Sequence, residues 1–175
     1  MTDPDRPATA ITPTAVAPTA APPRLLIVLD ETTLGRRCAE IGVALAARLR
    51  AHACFLLPLP VEPVAAASAA GLEGELAAHH ARCHERAQPL FDAALALAAA
   101  AGIEARTLLT IDEDPCPAVQ RVASEIDCTL IVVGSLGRSA MQRALHGSLV
   151  ADLVRLSPRP LLVCREDSQF DLQPR

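Results

Sequence analysis

The chain has 175 residues, half of them apolar, with no Trp or Tyr and only three Phe, so it is long enough for one domain with one core, and any bound ring must rest mainly on aliphatic side chains. Its formal charge is −4 and all 16 basic residues are Arg, which argues against nonspecific nucleic-acid binding and excludes a P-loop lysine or a Schiff base. Six cysteines at 38, 54, 83, 116, 128 and 164 show no C-x-x-C spacing and lie in apolar segments, as small core residues of a reducing compartment do.

Residues 1–23 consist largely of Pro, Thr and Ala, with Asp3 and Asp5 near the start and no continuous apolar run. They read as a disordered tail and as a poor secretory signal, and no later segment has the length of a charge-free span, so a cytoplasmic protein without a membrane anchor is expected. From Arg24 the pattern changes. Leu25–Leu29 reads as a strand buried on both faces and ended by Asp30, and Thr32 or Thr33 caps a helix with Cys38, Ile41, Leu45 and Leu49 at helical spacing. Cys54–Leu57 reads as a second strand closed by Pro58 and Pro60. A long Ala-rich helix follows over about residues 67–101, kinked or divided at Pro89 and terminated by Gly102.

A third strand over 104–111 alternates charged and apolar residues in its first half, as an edge strand would. Asp114-Pro115 opens a helix with the stripe Val119, Val122, Ala123, Ile126. The fourth strand, Thr129–Val133, runs into Gly134-Ser-Leu-Gly137, and nine residues later Gly147-Ser148 precedes a helix carrying Leu149, Leu153 and Leu156; Leu161–Cys164 is the last strand. The alternation of strands and helices predicts an open parallel sheet covered on both faces. Glycines between a strand and a helix are suited to phosphate, because they let bare N–H groups approach an anion at the helix start.

The pattern G-x-x-G-x9-G-[ST], met by Gly134, Gly137, Gly147 and Ser148, resembles the nucleotide-binding branch of the universal stress protein family. The likeness spans residues 24–166, leaving 167–175 as a C-terminal tail, and includes the first strand with Asp30, the segment Leu130–Arg138 and the closing Arg159–Arg165. It implies a Rossmann-like sheet of order 3-2-1-4-5, as in adenine nucleotide alpha hydrolases, holding ATP at the carboxyl ends of strands one and four. That crevice is also where open α/β sheets bind ligands, at the reversal of strand order. Carried onto this chain, the likeness puts Leu29 and Asp30 beside the adenosine, Cys54 near the adenine edge, and Val133 and Gly134 beside the ribose and phosphates. Leu136, Gly137 and Arg138 would hold part of the triphosphate, and Gly147, Ser148 and Leu149 would complete the cradle. One departure is Glu113-Asp114-Pro115, where many members have Gly-x-Pro; its carboxylate would crowd a nucleotide.

The expected function is that of a nucleotide-dependent stress sensor or regulator, in which ATP biases the loop between Gly137 and Gly147 toward a protein partner. No nucleophile is paired with a base, so a dedicated enzyme is not expected, while slow hydrolysis with Mg2+ or Mn2+ stays open. The alternative is a nucleotide-free scaffold acting through protein contacts alone. In the implied order the fifth strand is an apolar edge, Leu161–Cys164, suited to pairing with its own copy in a homodimer. His80 and His84, one helical turn apart beside His79 and Cys83, permit a surface metal site but read more simply as a solvated helix face, and His146 reads as a loop histidine.

Overall fold

Strand residues send alternate side chains to opposite faces, and here both faces find an apolar partner. A computed structural model describes residues 21–61, 69–135 and 149–165. Over these, β1 (Arg24–Val28), α1 (Thr33–Leu49), β2 (His52–Pro60), α2 (Ala69–Ala100), β3 (Ala105–Asp112), α3 (Pro115–Glu125), β4 (Leu130–Gly134), α4 (Leu149–Leu156) and β5 (Leu161–Cys164) follow in order. The five strands form one sheet of order β3-β2-β1-β4-β5, every pair parallel. The expected class and order are thus both present. Among the described residues, no helix is long and apolar enough to cross a membrane.

Leu25, Ile27 and Leu29 of the first strand segment meet Phe55 and Leu57 of β2 beneath α1 and α2, where Cys38, Ala39, Ile41, Phe91 and Ala94 cover them. Leu26, Val28, Ile131 and Val133 face the other way, against Val119, Val122 and Ala123 of α3 and Leu153 of α4. Each fully buried Leu or Ile contributes about 1.5–3 kcal/mol relative to exposure. The predicted stripe of α3 is buried throughout, whereas Leu49 of α1 and Leu156 of α4 are exposed.

Two prolines behave differently from their reading as breaks. Pro58 lies inside β2, paired with Thr110 of β3; the Leu56 carbonyl accepts from Leu29, so by alternation the Pro58 nitrogen faces the β1 side, beyond the last β1 pair, and the ladder to β3 loses no donor. Helix α2 continues through Pro89 undivided. It ends as expected at Gly102, whose φ of 68° lets Ile103 N–H reach the Ala98 carbonyl at 3.1 Å. The same closure ends α1 at Arg50 (φ 52°) and α3 at Asp127 (φ 50°), with Ala51 N–H donating to Ala46 and Cys128 N–H to Ala123. Asp127 also accepts from Arg159 at 3.1 Å, giving its side chain a second role.

Arg50 is exposed and carries the left-handed conformation with a Cβ. Arg50→Gly should therefore raise stability by about 0.5–1 kcal/mol in urea titration, since it removes that penalty and no packed side chain.

Candidate functional site

Where β1 and β4 lie side by side, the chain leaves them toward opposite faces: α1 covers one side of the sheet and α4 the other. Their carboxyl ends therefore bound a crevice at the reversal of strand order. Leu29, Asp30, Val133, Gly134 and, from the first turn of α4, Leu149 are the expected site residues at or next to this rim. Leu136, Gly137, Arg138, Gly147 and Ser148 lie outside the described residues, as does His146.

Asp30 is held in a capping turn. Its Oδ1 accepts from Thr32 N–H at 2.8 Å, from Gly35 N–H at 3.0 Å and from the Thr32 hydroxyl. Thr32 is itself the N-cap of α1, its hydroxyl oxygen accepting from Leu34 N–H at 3.2 Å and Gly35 N–H at 3.3 Å. A Cβ on Gly35 would stand 2.4 Å from the Asp30 carbonyl oxygen and 2.5 Å from its Oδ1, so this glycine is what allows the helix start to close on the carboxylate. Sequence reading passed over Gly35; a glycine in the first turn after two candidate caps was the available signal. Glu31 is tied to α2 by Arg86, which donates to its two carboxylate oxygens at 2.9 and 2.8 Å. That hydrogen-bonded guanidinium holds the Glu31 carboxyl below its ordinary pKa despite partial burial.

Gly134 also has a packing reason. A Cβ there would lie 2.8 Å from Leu34 Cγ and 3.1 Å from Cys38 Sγ. It stands opposite Cys164 of β5, and Ser135 N–H donates to the Cys164 carbonyl at 2.7 Å, so that amide belongs to the sheet ladder. Leu29 and Val133 are buried on opposite faces, and the Leu29 N–H donates to Leu56 at 2.8 Å. Each can thus offer a ligand main chain only. Leu149 is half-buried against the α3 side of the core.

Cys54 is not brought to this crevice. It pairs with Leu26, at the third position of a strand that begins at His52, and so lies about 13 Å back along the sheet from Asp30 at ~3.3 Å per residue. It is buried in the apolar cluster under α3, near Arg106, and burial pushes its thiol pKa up. The placement of Cys54 came from the family likeness alone; beside Asp30, β2 presents Leu56 and the residues after it. Glu113 follows β3, two strands from β1, which sets it about 10 Å aside from the β1 line. On α2 the buried histidine is His79, with its Nε2 3.6 Å from Cys83 Sγ, while His80 and His84 are exposed. Among the described residues, no group of three His, Cys, Asp or Glu is placed to hold a metal ion. Sequence reading also did not foresee an apolar hollow of about 480 Å3 between α1 and α2, bounded by Leu29, Asp30, Gly35, Ala39, Leu90 and Leu97.

A model of the universal stress protein family matches residues 23–165. Among solved structures, universal stress protein UspA from Lactobacillus plantarum is 20% identical with a TM-score of 0.61, the match covering 83% of this chain and 99% of that one. An Archaeoglobus fulgidus universal stress protein in complex with dAMP is 15% identical (TM-score 0.55; 82% and 97% covered). An Arabidopsis thaliana family protein with AMP bound is 14% identical (TM-score 0.56; 84% and 94% covered). At these identities the structures show a shared fold. No curated protein matches the sequence significantly.

Asp30→Ala removes the acceptor of three donors and should cost about 1–2 kcal/mol, whereas Asp30→Asn keeps an oxygen there and should stay within about 0.5 kcal/mol of the parent in chemical denaturation. Gly35→Ala, at a helical position where alanine ordinarily gains about 1 kcal/mol, should instead destabilise. The contribution of Glu31 should be full above its unfolded pKa and fade as pH falls through the lowered folded value, amounting to at most about 1 kcal/mol for so exposed a pair in a double-mutant cycle with Arg86.

Proposed function

The chain belongs to the universal stress protein family, and from that premise we propose that it binds an adenine nucleotide, ATP in particular, in the crevice between the carboxyl ends of β1 and β4. The observation that carries this reading is the position of Asp30 and Gly134 at the ends of adjacent strands where the sheet reverses order. Nucleotides bound to relatives of the same fold support the chemistry. In the reading, Asp30 contacts the adenosine side while the main chain of Leu29, Val133 and Gly134 borders the ribose. Amides around Leu136, Gly137 and Arg138, together with Gly147, the Ser148 hydroxyl and the start of α4 at Leu149, receive the phosphates. With no Lys in the chain, charge neutralisation falls to Arg138, to backbone N–H groups and to Mg2+ or Mn2+ accompanying the triphosphate.

The sequence offers this site no nucleophile paired with a base, and in this reading the protein acts as a stress sensor or regulator rather than as a dedicated enzyme. The loop between Gly137 and Gly147 is the segment whose arrangement ATP would bias, and its surface would meet the protein partner. A homodimer through the β5 edge suits the half-buried Leu161, Leu162 and Val163 at the end of the sheet. Six free cysteines fit a reducing, cytoplasmic setting. A second reading, the nucleotide-free scaffold, draws on one observation: Asp30 and Gly134 each have a complete packing role without a ligand.

Purified protein, denatured and cleared, should release an adenine nucleotide on chromatography, and millimolar ATP should raise the Tm by about 5 °C or more. Asp30→Asn should reduce that shift while leaving the unliganded Tm in place; a clean supernatant and no shift would favour the scaffold. Val163→Lys should yield monomers in sedimentation, and a persistent dimer would place the interface elsewhere.

A further inference from the structure

Two of the six cysteines meet across the sheet. Cys38 comes from the second turn of α1 and Cys164 is the last residue of β5; both are buried, in the same apolar cluster. Cys164 stands opposite Gly134, and the position a Cβ would take on Gly134 is 3.1 Å from Cys38 Sγ. The missing side chain at 134 is thus what lets the Cys38 thiol reach over β4 toward β5, so that the two cysteines come together in one apolar cluster. The other four are occupied differently: Cys83 by His79, Cys128 by the Leu130 carbonyl, Cys54 beside Arg106, and Cys116 in the first turn of α3.

We infer that Cys38 and Cys164 form an oxidisable dithiol, a modification site at which a small peroxide makes an intramolecular disulfide that staples the start of α1 to the end of β5 beneath Gly134. The roles of the two sulfurs differ. Interaction with Cys38 and the nearby Arg37 charge lower the Cys164 pKa, whereas interaction with Cys164, burial and the neighbouring Asp30 carboxylate raise that of Cys38. Cys164 also ends the edge strand β5 and precedes the exposed Arg165, whereas Cys38 lies within α1, so Cys164 is assigned as the attacking sulfur. Its thiolate takes one peroxide oxygen as the O–O bond breaks, giving a sulfenic acid and a hydroxide that leaves as water on protonation. Cys38 sulfur then attacks the sulfenic sulfur, the S–O bond breaks, and the departing hydroxide carries off the Cys38 proton as a second water. Two thiols are oxidised and one peroxide is reduced. Hydrogen peroxide is near water in size, and the buried Cys164 is followed by the exposed Arg165. The site stands independently of nucleotide binding.

The full chain, treated with hydrogen peroxide in its native state, quenched with catalase, then denatured, alkylated and digested without reduction, should yield one cross-linked peptide pair joining Cys38 to Cys164. Cys54, Cys83, Cys116 and Cys128 should be recovered alkylated, and dithiothreitol should restore both thiols. Sulfinic or sulfonic acid at Cys164 without a cross-link, a disulfide to any other cysteine, or no oxidation at millimolar peroxide would overturn the proposal. In Cys38→Ala the reaction should stop at a dimedone-reactive sulfenic acid on Cys164; an adduct elsewhere would overturn the assignment of Cys164 as the attacking sulfur.

Discussion

Helix α1 lies so close to β1 and β4 that three points along the contact have no room for a side chain. At Gly35 the helix start rests on the Asp30 backbone and carboxylate, at Gly42 a Cβ would enter the Ile27 side chain at 2.5 Å, and at Gly134 the strand itself gives way to Leu34 and Cys38. Interiors packed at crystal-like density transmit such a constraint. The placement of α1 sets where the Asp30 carboxylate stands, how the rim between β1 and β4 is shaped, and which thiols share the cluster behind it.

That economy makes single residues answer to two demands. Asp30 closes the turn into α1 through Oδ1 while standing at the mouth of the crevice, so its side chain is positioned before any ligand arrives. Preorganisation of this kind lowers the ordering cost of binding. Gly134 admits α1 on one side and ends a ladder with β5 on the other, where Ser135 N–H is already engaged by Cys164. Ser135 N–H is thereby spent within the sheet and is not a free donor at the rim.

Much of the architecture was readable because strand and helix periods are strong local signals. The runs Leu25–Val28 of β1 and Leu130–Val133 of β4 are apolar at every position, as strands covered on both faces must be, and the stripe of α3 is buried as its spacing demands. Asp114-Pro115 and Gly102 announced their helix boundaries by backbone chemistry that depends on nothing distant. Pro58 misled for the opposite reason: whether a proline breaks a strand depends on whether a neighbour needs its N–H, and that was decided by where β1 stops. Cys54 was placed by family likeness, not by a local signal, and the register of β2 against β1 sets it back from the crevice. On α2, which histidine faces the core depends on how the helix rolls against the sheet, and His79 rather than His80 was turned inward.

The sequence by itself determined the order and type of the elements, the parallel sheet, and the spacing of glycines after β4, since all of these follow from short-range periodicity and from residues with restricted or unusually free backbones. Tertiary structure alone decided that Asp30 caps α1 across Gly35, that Cys54 sits far from the crevice, and that Cys38 and Cys164 come together across Gly134 in one cluster. These are contacts between residues distant in the chain or register choices between strands. They exist only once α1 has docked, so no local pattern could carry them.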